Sequence, residues 1–144
     1  VLADYDKGVS EWLETHNDAK VFDANGTLKA EMIHGIFRTL PPIEGSIDAV
    51  TQLHRSGKYD MFIATTAPWL NPDAATDKRY WIETYYGDMF TKRMFITHRK
   101  DLLMGDYLID DRTVNGALQF SGELLLFGKN GKYKDWGSIL TRLL

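Results

Sequence analysis

Four short and nearly continuous apolar runs constrain the fold of this chain more than any other feature of its sequence. They lie at residues 61–64, 94–97, 107–109 and 124–127. A strand with one solvent-exposed face alternates apolar and polar residues. These runs are nearly continuous instead, which is typical of parallel strands covered on both faces. The runs therefore predict buried strands of a parallel sheet.

Helical patterns lie between and beside these runs. Apolar residues recur at helical spacing in residues 47–54, 81–86 and 136–143. The first two patterns are followed by Gly57 and Gly87, and glycine is a typical stop signal for a helix. Strands that alternate with helices predict an α/β fold with a Rossmann-like, doubly wound parallel sheet.

Residues 9–40 have a different pattern from the rest of the chain. They contain helical pieces at 9–16 and 27–36, a break at "DANGT" and no convincing strand. We expect a small helical cap at about residues 9–40, inserted near the N-terminus, and a core at about residues 41–144. The alternative is that these helices simply pack on the sheet. With 144 residues in all, both parts belong to one domain.

Composition and charge narrow the classes of partner. The net charge of -3 gives no reason to expect a nucleic acid polymer. The chain has no cysteine, which excludes disulfides and thiolate metal sites. No apolar run approaches the ~20 residues of a membrane span, so we expect no membrane partner. These properties favour the cytoplasm, and they leave both a monomer and a homodimer open.

Two adjacent carboxylates, Asp110 and Asp111, follow the third apolar run. Ligands of open α/β sheets bind beyond the carboxyl ends of the strands, which is where this pair is predicted to lie. Because two close carboxylates repel each other, a nearby positive charge is expected, and Mg²⁺ suits their hard oxygen ligands. Arg112 could instead neutralise one of them. A third alternative is that one Asp caps the following turn and the other faces water.

The ends of the two preceding runs carry complementary polar groups. Thr65 and Thr66 end the first run, and Lys100 lies a few residues beyond the second. A hydroxyl, an ammonium and paired carboxylates on successive strand ends match a phosphoryl group bound together with a metal. Each group taken alone has an ordinary explanation, since threonines satisfy local backbone and loop lysines are usually solvated. Their order along the chain favours a phosphoryl-transfer site.

These residues resemble the haloacid-dehalogenase-like (HAD) phosphohydrolases, and more narrowly the 5'(3')-deoxyribonucleotidases. The resemblance covers nearly the whole chain, through "VLADYDKG", "FIATTAPW", "DKRYWIETYYG", "ITHRK", "GDYLIDDR" and "DWGSIL". It implies a HAD-like sheet with a helical cap inserted after the first strand. It also implies a hydrolase that uses Mg²⁺ to remove phosphate from deoxynucleoside monophosphates.

The resemblance assigns roles to the strand-end residues. Thr65 matches the hydroxyl that hydrogen-bonds the phosphoryl group, and Lys100 matches the ammonium that neutralises the nucleophile and the phosphate. Asp110 and Asp111 match the acidic pair at the metal, with Asp111 as the expected direct ligand and Asp110 as its close partner. Thr66 matches a residue that contacts the phosphate region of the substrate.

Three further residues match positions that contact the substrate. Lys78 matches a residue near the substrate phosphate, and Tyr5 and Phe37 match aromatic positions that enclose the base. Aromatic stacking tolerates every base, so it does not predict which base is preferred. The alternatives are a solvated helix lysine for Lys78, a surface ring for Tyr5 and an ordinary packing contact for Phe37.

The chain departs from the family at the first motif, Asp-x-Asp-Gly, whose first Asp is phosphorylated and whose second is the general acid and base. In the family this motif directly precedes a stretch like "VLAD", so we expect the motif and its strand upstream of Val1. Asp4 and Asp6 have the same spacing, but too few residues precede them for a strand. Two alternatives follow: a phosphatase for another small phosphomonoester, or a catalytically silent domain that binds a nucleotide or metal.

Overall fold

The structure is a computed structural model of the chain, and it describes residues 1–16, 25 and 29–144. The helices and strands, in chain order, are α1 (Tyr5–Thr15), α2 (Ile36–Thr39), α3 (Ser46–Arg55), β1 (Ile63–Thr65), α4 (Ala74–Tyr86), β2 (Met94–Ile96), β3 (Tyr107–Asp110), β4 (Glu123–Leu126) and α5 (Trp136–Leu143). Two short 3-10 turns add Ala30–Met32 and Lys100–Leu102.

The chain divides into two compact units. The first unit comprises Val1–Leu2, Pro42–Thr66 and Phe90–Leu144, and the second comprises Ala3–Pro41 and Ala67–Met89. All four strands belong to the first unit, together with α3 and α5. The boundaries of the cap and the core expected from the sequence, about 9–40 and 41–144, stay a prediction.

The four predicted strands are confirmed, with ends that differ by one or two residues from the predicted ones. β1 pairs with β2 in parallel, with Ile63 opposite Met94, and β3 pairs with β4 in parallel, with Tyr107 opposite Glu123. The described residues thus form two separate two-stranded parallel sheets. The mixture of helices and parallel strands agrees with the predicted α/β class, and a single doubly wound sheet is not seen in this part of the chain.

The core of the first unit lies between helices α3 and α5 and around β3 and β4. Leu53 of α3 and Ile139 of α5 are almost fully buried. The helix α5 starts at a capping box, in which Asp135 accepts a hydrogen bond from the Ser138 backbone N–H at 2.8 Å. Such a box satisfies donors that have no partner within the helix, which explains why the helix begins there.

A second cluster in this unit packs beside β3. Leu108, Ala117 and Phe120 are buried there, and Ala64 of β1 packs against them. The cluster contains residues from β1, from β3 and from the segment that follows β3. It therefore joins β1, β3 and the loop after β3 in a single apolar cluster.

The second unit is built from α1, α2 and α4. One hydrophobic cluster of this unit consists of Val9, Ala30, Ile33, Ile36, Phe37, Leu40 and Ala74. Trp81 of α4 is buried, and its indole N–H donates a hydrogen bond of 2.8 Å to the carbonyl of Leu40. This bond satisfies the polar atom of a large buried ring and joins α4 to the end of α2.

Two sequence-based expectations are wrong. The helix predicted at 27–36 is interrupted where it is described, because Ile33 is extended and Gly35 has a φ of 77°, a left-handed value that a helix does not accommodate.

The strands were also expected to be covered on both faces, yet Phe95 and Ile96 of β2 are 47% and 46% exposed. Within the described part of the chain β2 has β1 as its only strand neighbour. Most of "DANGT" lies outside the described residues.

No helix in the described part of the chain has both the length and the apolar character needed to cross a bilayer.

Candidate functional site

A buried ion pair joins two of the predicted site residues in the first unit. Lys100 Nζ lies 2.5 Å from Asp110 Oδ2, and only 11% and 7% of the two side chains are exposed. Lys100 opens the 3-10 turn that follows β2, and Asp110 is the last residue of β3. Because an unpaired buried charge is costly, each group offsets the desolvation of the other. The fold thus places a fixed cation at the carboxyl end of β3.

The two adjacent carboxylates have different surroundings. Asp110 Oδ1 accepts a hydrogen bond of 3.1 Å from the Arg112 backbone N–H, so both oxygens of Asp110 are bonded. Asp111 is exposed. Asp110 therefore caps the turn that follows it, and Asp111 faces water. The cation that neutralises Asp110 is Lys100 and not Arg112, whose side chain is exposed.

The carboxylate oxygens at the end of β3 suit a metal ion that needs few protein ligands. Mg²⁺ at phosphate sites is usually held by one or two carboxylates, with water and substrate phosphates as its other ligands. Asp111 offers an exposed carboxylate, and Asp110 adjoins it. The described residues contain no group of three or more His, Asp or Glu side chains that could enclose a metal. The residues present therefore fit Mg²⁺ that is shared with a phosphate.

The two threonines lie at the carboxyl end of β1. Thr65 is its last residue, and its carbonyl accepts a hydrogen bond of 2.8 Å from the Thr97 backbone N–H. The Thr66 hydroxyl donates to the Thr97 carbonyl at 2.8 Å. The Thr97 hydroxyl in turn accepts a bond of 2.9 Å from the Arg99 backbone N–H. The ends of β1 and β2 are therefore linked through Thr97 to the turn that carries Lys100.

Arg99 and Asp101 flank Lys100 and form a contact that sequence reasoning missed. Arg99 Nε and Nη2 donate to the two carboxylate oxygens of Asp101 at 2.9 and 2.7 Å. This side-chain hydrogen bonding holds the pKa of Asp101 below its ordinary value and raises the pKa of Arg99. Solvent screens this pair, so its contribution to the stability of the fold is small. Arg99 and Asp101 are two residues apart in a turn, a spacing that matches no helical pattern, so the sequence did not predict their contact.

The second unit brings together the three other predicted substrate-contacting residues. The rings of Tyr5 and Phe37 stack with their centroids 6.2 Å apart and an interplanar angle of 21°. Lys78 Nζ lies 4.7 Å from the centroid of the Phe37 ring, within the range of a cation–π contact. Phe37 is buried in the core of this unit. It is therefore also a packing residue, as the alternative explanation held.

A second pair of contacts runs beside this cluster and was also missed. Arg38 Nε donates to Asp77 Oδ1 at 3.1 Å, so the neighbours of Phe37 and Lys78 in the sequence are themselves joined. Asp77 Oδ2 is buried and has no hydrogen-bond partner among the described residues. The guanidinium of Arg38 also lies 4.3 Å from the centroid of the Tyr80 ring. Two adjacent contacts thus set the register of α2 against α4.

Asp4 and Asp6 occupy the start of helix α1. Asp4 is the N-cap residue, and its Oδ1 accepts a hydrogen bond of 3.0 Å from the Lys7 backbone N–H. Asp6 is exposed in the first turn. A carboxylate at an N-cap stabilises the helix, and this structural role accounts for Asp4 without any catalytic one.

Comparisons with known proteins identify the family of this chain. The family model for "5' nucleotidase, deoxy (Pyrimidine), cytosolic type C protein" matches residues 9–134. A protein of Vibrio phage KVP40 named "Putative 5'(3')-deoxyribonucleotidase" is 45% identical over 109 residues, which are 76% of this chain and 62% of the phage protein. A protein of the same name from Bordetella pertussis is 30% identical over 132 residues, covering 79% of this chain and 70% of that protein.

The human cytosolic 5'(3')-deoxyribonucleotidase is 37% identical over 96 residues, which are 65% of this chain and 47% of the human protein. The chain thus spans about half to two thirds of the length of these two relatives, the phage and the human protein. The family match at residues 9–134 extends across both compact units. These comparisons confirm the resemblance noted in the sequence, and the chain belongs to the cytosolic type C family of deoxy (pyrimidine) 5' nucleotidases.

Proposed function

We propose that the protein to which this chain belongs is a Mg²⁺-dependent phosphomonoesterase that removes phosphate from deoxyribonucleoside 5'(3')-monophosphates. The observation that carries the proposal is the buried Lys100–Asp110 pair beside the exposed carboxylate of Asp111. The names of the similar phage and human proteins support the choice of substrate. The proposal assigns the chemistry to residues at the carboxyl ends of β1, β2 and β3.

The chain's own residues bind and polarise the phosphoryl group in this proposal. Lys100 holds positive charge near the phosphoryl oxygens, where negative charge grows during transfer. Its ion pair with Asp110 keeps the ammonium in place, so little reorganisation is needed when the reaction occurs. The Thr65 hydroxyl donates to a phosphoryl oxygen, and Thr66 lies next to it at the same strand end. Lys78 is proposed to contact the substrate near its phosphate.

The metal and the nucleophile complete the proposal. Asp111, with Asp110 beside it, would hold Mg²⁺, which when bound supplies a Lewis acid that offsets repulsion between the nucleophile and the phosphate. The nucleophile is proposed to be the first Asp of the family's Asp-x-Asp-Gly motif, which we expect upstream of Val1. Its carboxylate forms an aspartyl-phosphate as the sugar oxygen leaves with a proton from the second Asp, and water then releases phosphate.

We also propose that β1–β2 and β3–β4 are halves of one doubly wound sheet. A strand carrying the acidic motif would pair with β1 on one side and with β3 on the other. Two observations support this: all four strands are paired in parallel, and Ala64 of β1 packs against the cluster that contains Leu108 of β3. Peptide amides of β1 and β3 gain partners in this arrangement. A cytoplasmic location and a possible homodimer also stay predictions.

Phosphate release from a panel of monophosphates tests the proposed function in the intact protein. Thymidine and deoxyuridine monophosphates are expected to be hydrolysed at least about tenfold faster, by kcat/KM, than sugar phosphates of similar size. EDTA is expected to reduce release to background, and added Mg²⁺ to restore it, because the proposal places a catalytic Mg²⁺ at Asp111 beside Asp110. Release that persists without metal would contradict the role given to the carboxylate pair. A preference for sugar phosphates would contradict the substrate class.

Replacing Phe37 with alanine should weaken substrate binding more than it slows turnover. The expected result is an increase in KM of about tenfold with kcat within a factor of about three, since base–aromatic stacking is worth ~1–3 kcal/mol. The control is Trp81→Phe, which alters another buried ring of the second unit but is not assigned to the substrate. Equal changes in KM for the two variants would mean that Phe37 acts only through packing.

A further inference from the structure

The segment that follows Asp111 contains an Asn-Gly turn to which the proposed function gives no role. Asn115 has a φ of 55° and Gly116 a φ of 80°, so two consecutive residues adopt left-handed backbone conformations. Asparagine and glycine are the residues that tolerate this geometry best. Two left-handed residues in succession reverse the chain sharply. The turn therefore directs the segment after β3 back toward a specific neighbour.

That neighbour is the turn that carries Lys100. The backbone N–H of Lys100 donates a hydrogen bond of 2.8 Å to the carbonyl of Asn115. A methyl group added at Gly116 would lie 2.7 Å from the backbone nitrogen of Asp101 and would also overlap the Asp101 carboxylate. Only glycine permits so close an approach. The Asn-Gly turn thus packs directly on the backbone of Lys100 and Asp101.

The turn is also anchored on its other side. Ala117, the next residue, is fully buried, and it packs in the apolar cluster with Leu108 of β3 and with Phe120. Asp101, against which Gly116 packs, accepts two hydrogen bonds from Arg99. The turn therefore connects the core around β3 to the backbone of Lys100.

We propose that Asn115 and Gly116 are positioning residues: their left-handed turn docks on the backbone of Lys100 and Asp101 and holds the Lys100 ammonium against Asp110. A lysine side chain has four rotatable bonds and loses much conformational freedom when it is fixed. Fixing its backbone at the correct distance from β3 reduces the number of arrangements in which the pair is broken. That Lys100 acts on a phosphoryl group rests on the proposed function, whereas its positioning by this turn does not.

Amide hydrogen exchange in the intact protein tests the positioning directly. Gly116→Ala is expected to accelerate exchange of the Lys100 amide by about tenfold or more, because strain and overlap open the contact with Asn115. The Thr97 amide, which is bonded to Thr65 between the strands, should change by less than about threefold. Unchanged protection of the Lys100 amide would overturn the proposal.

Gly57→Ala is the matched control. Gly57 has a φ of 68°, so alanine there is strained in the same way, but a methyl group at Gly57 meets no atom of the other described residues within 4 Å, its chain neighbours aside. Exchange of the Lys100 amide should stay as in the original protein. Equal acceleration by both variants would mean a general loss of stability and would overturn the proposal. If Gly116→Ala does not fold, Asn115→Ala is the milder variant, with an expected acceleration of about threefold at the same amide; no change there would also overturn it.

Turnover adds an independent measurement. Gly116→Ala is expected to lower kcat by about tenfold where Lys100 is present and to have no further effect in a Lys100→Met background. Equal losses in both backgrounds would overturn a role exerted through Lys100. A protein that shows no phosphatase activity at all would refute the proposed function, while the exchange experiment would still decide whether the turn positions Lys100.

Discussion

Lys100→Met is expected to lower kcat by at least about 100-fold, because it removes a fixed positive charge from the place where the phosphoryl group gains negative charge. Methionine keeps most of the length of the side chain, so the loss reports on charge more than on packing. The measurement is steady-state release of phosphate from thymidine monophosphate at saturating Mg²⁺. Lys129→Met, which changes an exposed lysine of the same unit, is the control and should keep its rate.

The same substitution should also destabilise the fold. Asp110 is 5% exposed, so loss of its cation leaves a buried carboxylate without a charged partner. Breaking a buried pair from one side costs about 3–5 kcal/mol of the free energy of unfolding, measured by urea denaturation.

The double variant Lys100→Met with Asp110→Leu tests the effect on stability. It is expected to recover most of the stability, since an apolar pair can replace a buried ion pair, and none of the activity. Recovery of activity together with stability would show that Lys100 acts only on folding.

Asp111→Asn should abolish most metal-dependent turnover and leave the fold as stable as before. Asp111 is exposed, so its free energy of unfolding is expected to change by no more than about 0.5 kcal/mol. Loss of a direct Mg²⁺ ligand should lower kcat by at least about 100-fold and raise the Mg²⁺ concentration needed for half-maximal rate.

Asp110→Asn is the matched comparison, and it should be destabilising as well as inactivating. Asparagine can still accept the bond from the Arg112 backbone N–H, but it leaves the buried ammonium of Lys100 uncompensated. Two adjacent residues of the same type are thus expected to differ by several kcal/mol in the free energy of unfolding. A normal Mg²⁺ requirement in Asp111→Asn would contradict its assignment as the direct ligand.

Most helices and strands could be predicted from local patterns of apolar residues. The strand β3 and the helix α5 were recognisable because apolar residues continuous over a strand, or spaced by a helical turn, can be buried in only a few ways. The helix α4 was predicted to end at Gly87, and Gly87 is its C-cap. The predicted helix at 27–36 failed because the left-handed backbone of Gly35 outweighs the helical spacing of its neighbours.

The order of polar groups along the chain also allowed the candidate site to be predicted. Ligand-binding residues of α/β folds follow the carboxyl ends of parallel strands, which is why Lys100 and Asp110 were predicted to belong to one site, whereas the ion pair between them was not predicted. The difference between Asp110 and Asp111 could not be predicted in the same way. Two identical neighbours have the same propensities, and only the direction in which β3 ends decides which of them is buried.

The sequence by itself determined the α/β class, the four strands, the family and the chemical types at the strand ends. These depend on neighbours within a few residues or on motifs read in order. Only the tertiary structure decided four contacts: the Lys100–Asp110 ion pair, the packing of Gly116 against Asp101, the Arg38–Asp77 ion pair and the position of Lys78 over the Phe37 ring. Each of these joins residues that are distant in sequence or unpatterned, so their geometry is set by how the elements pack and not by any local preference.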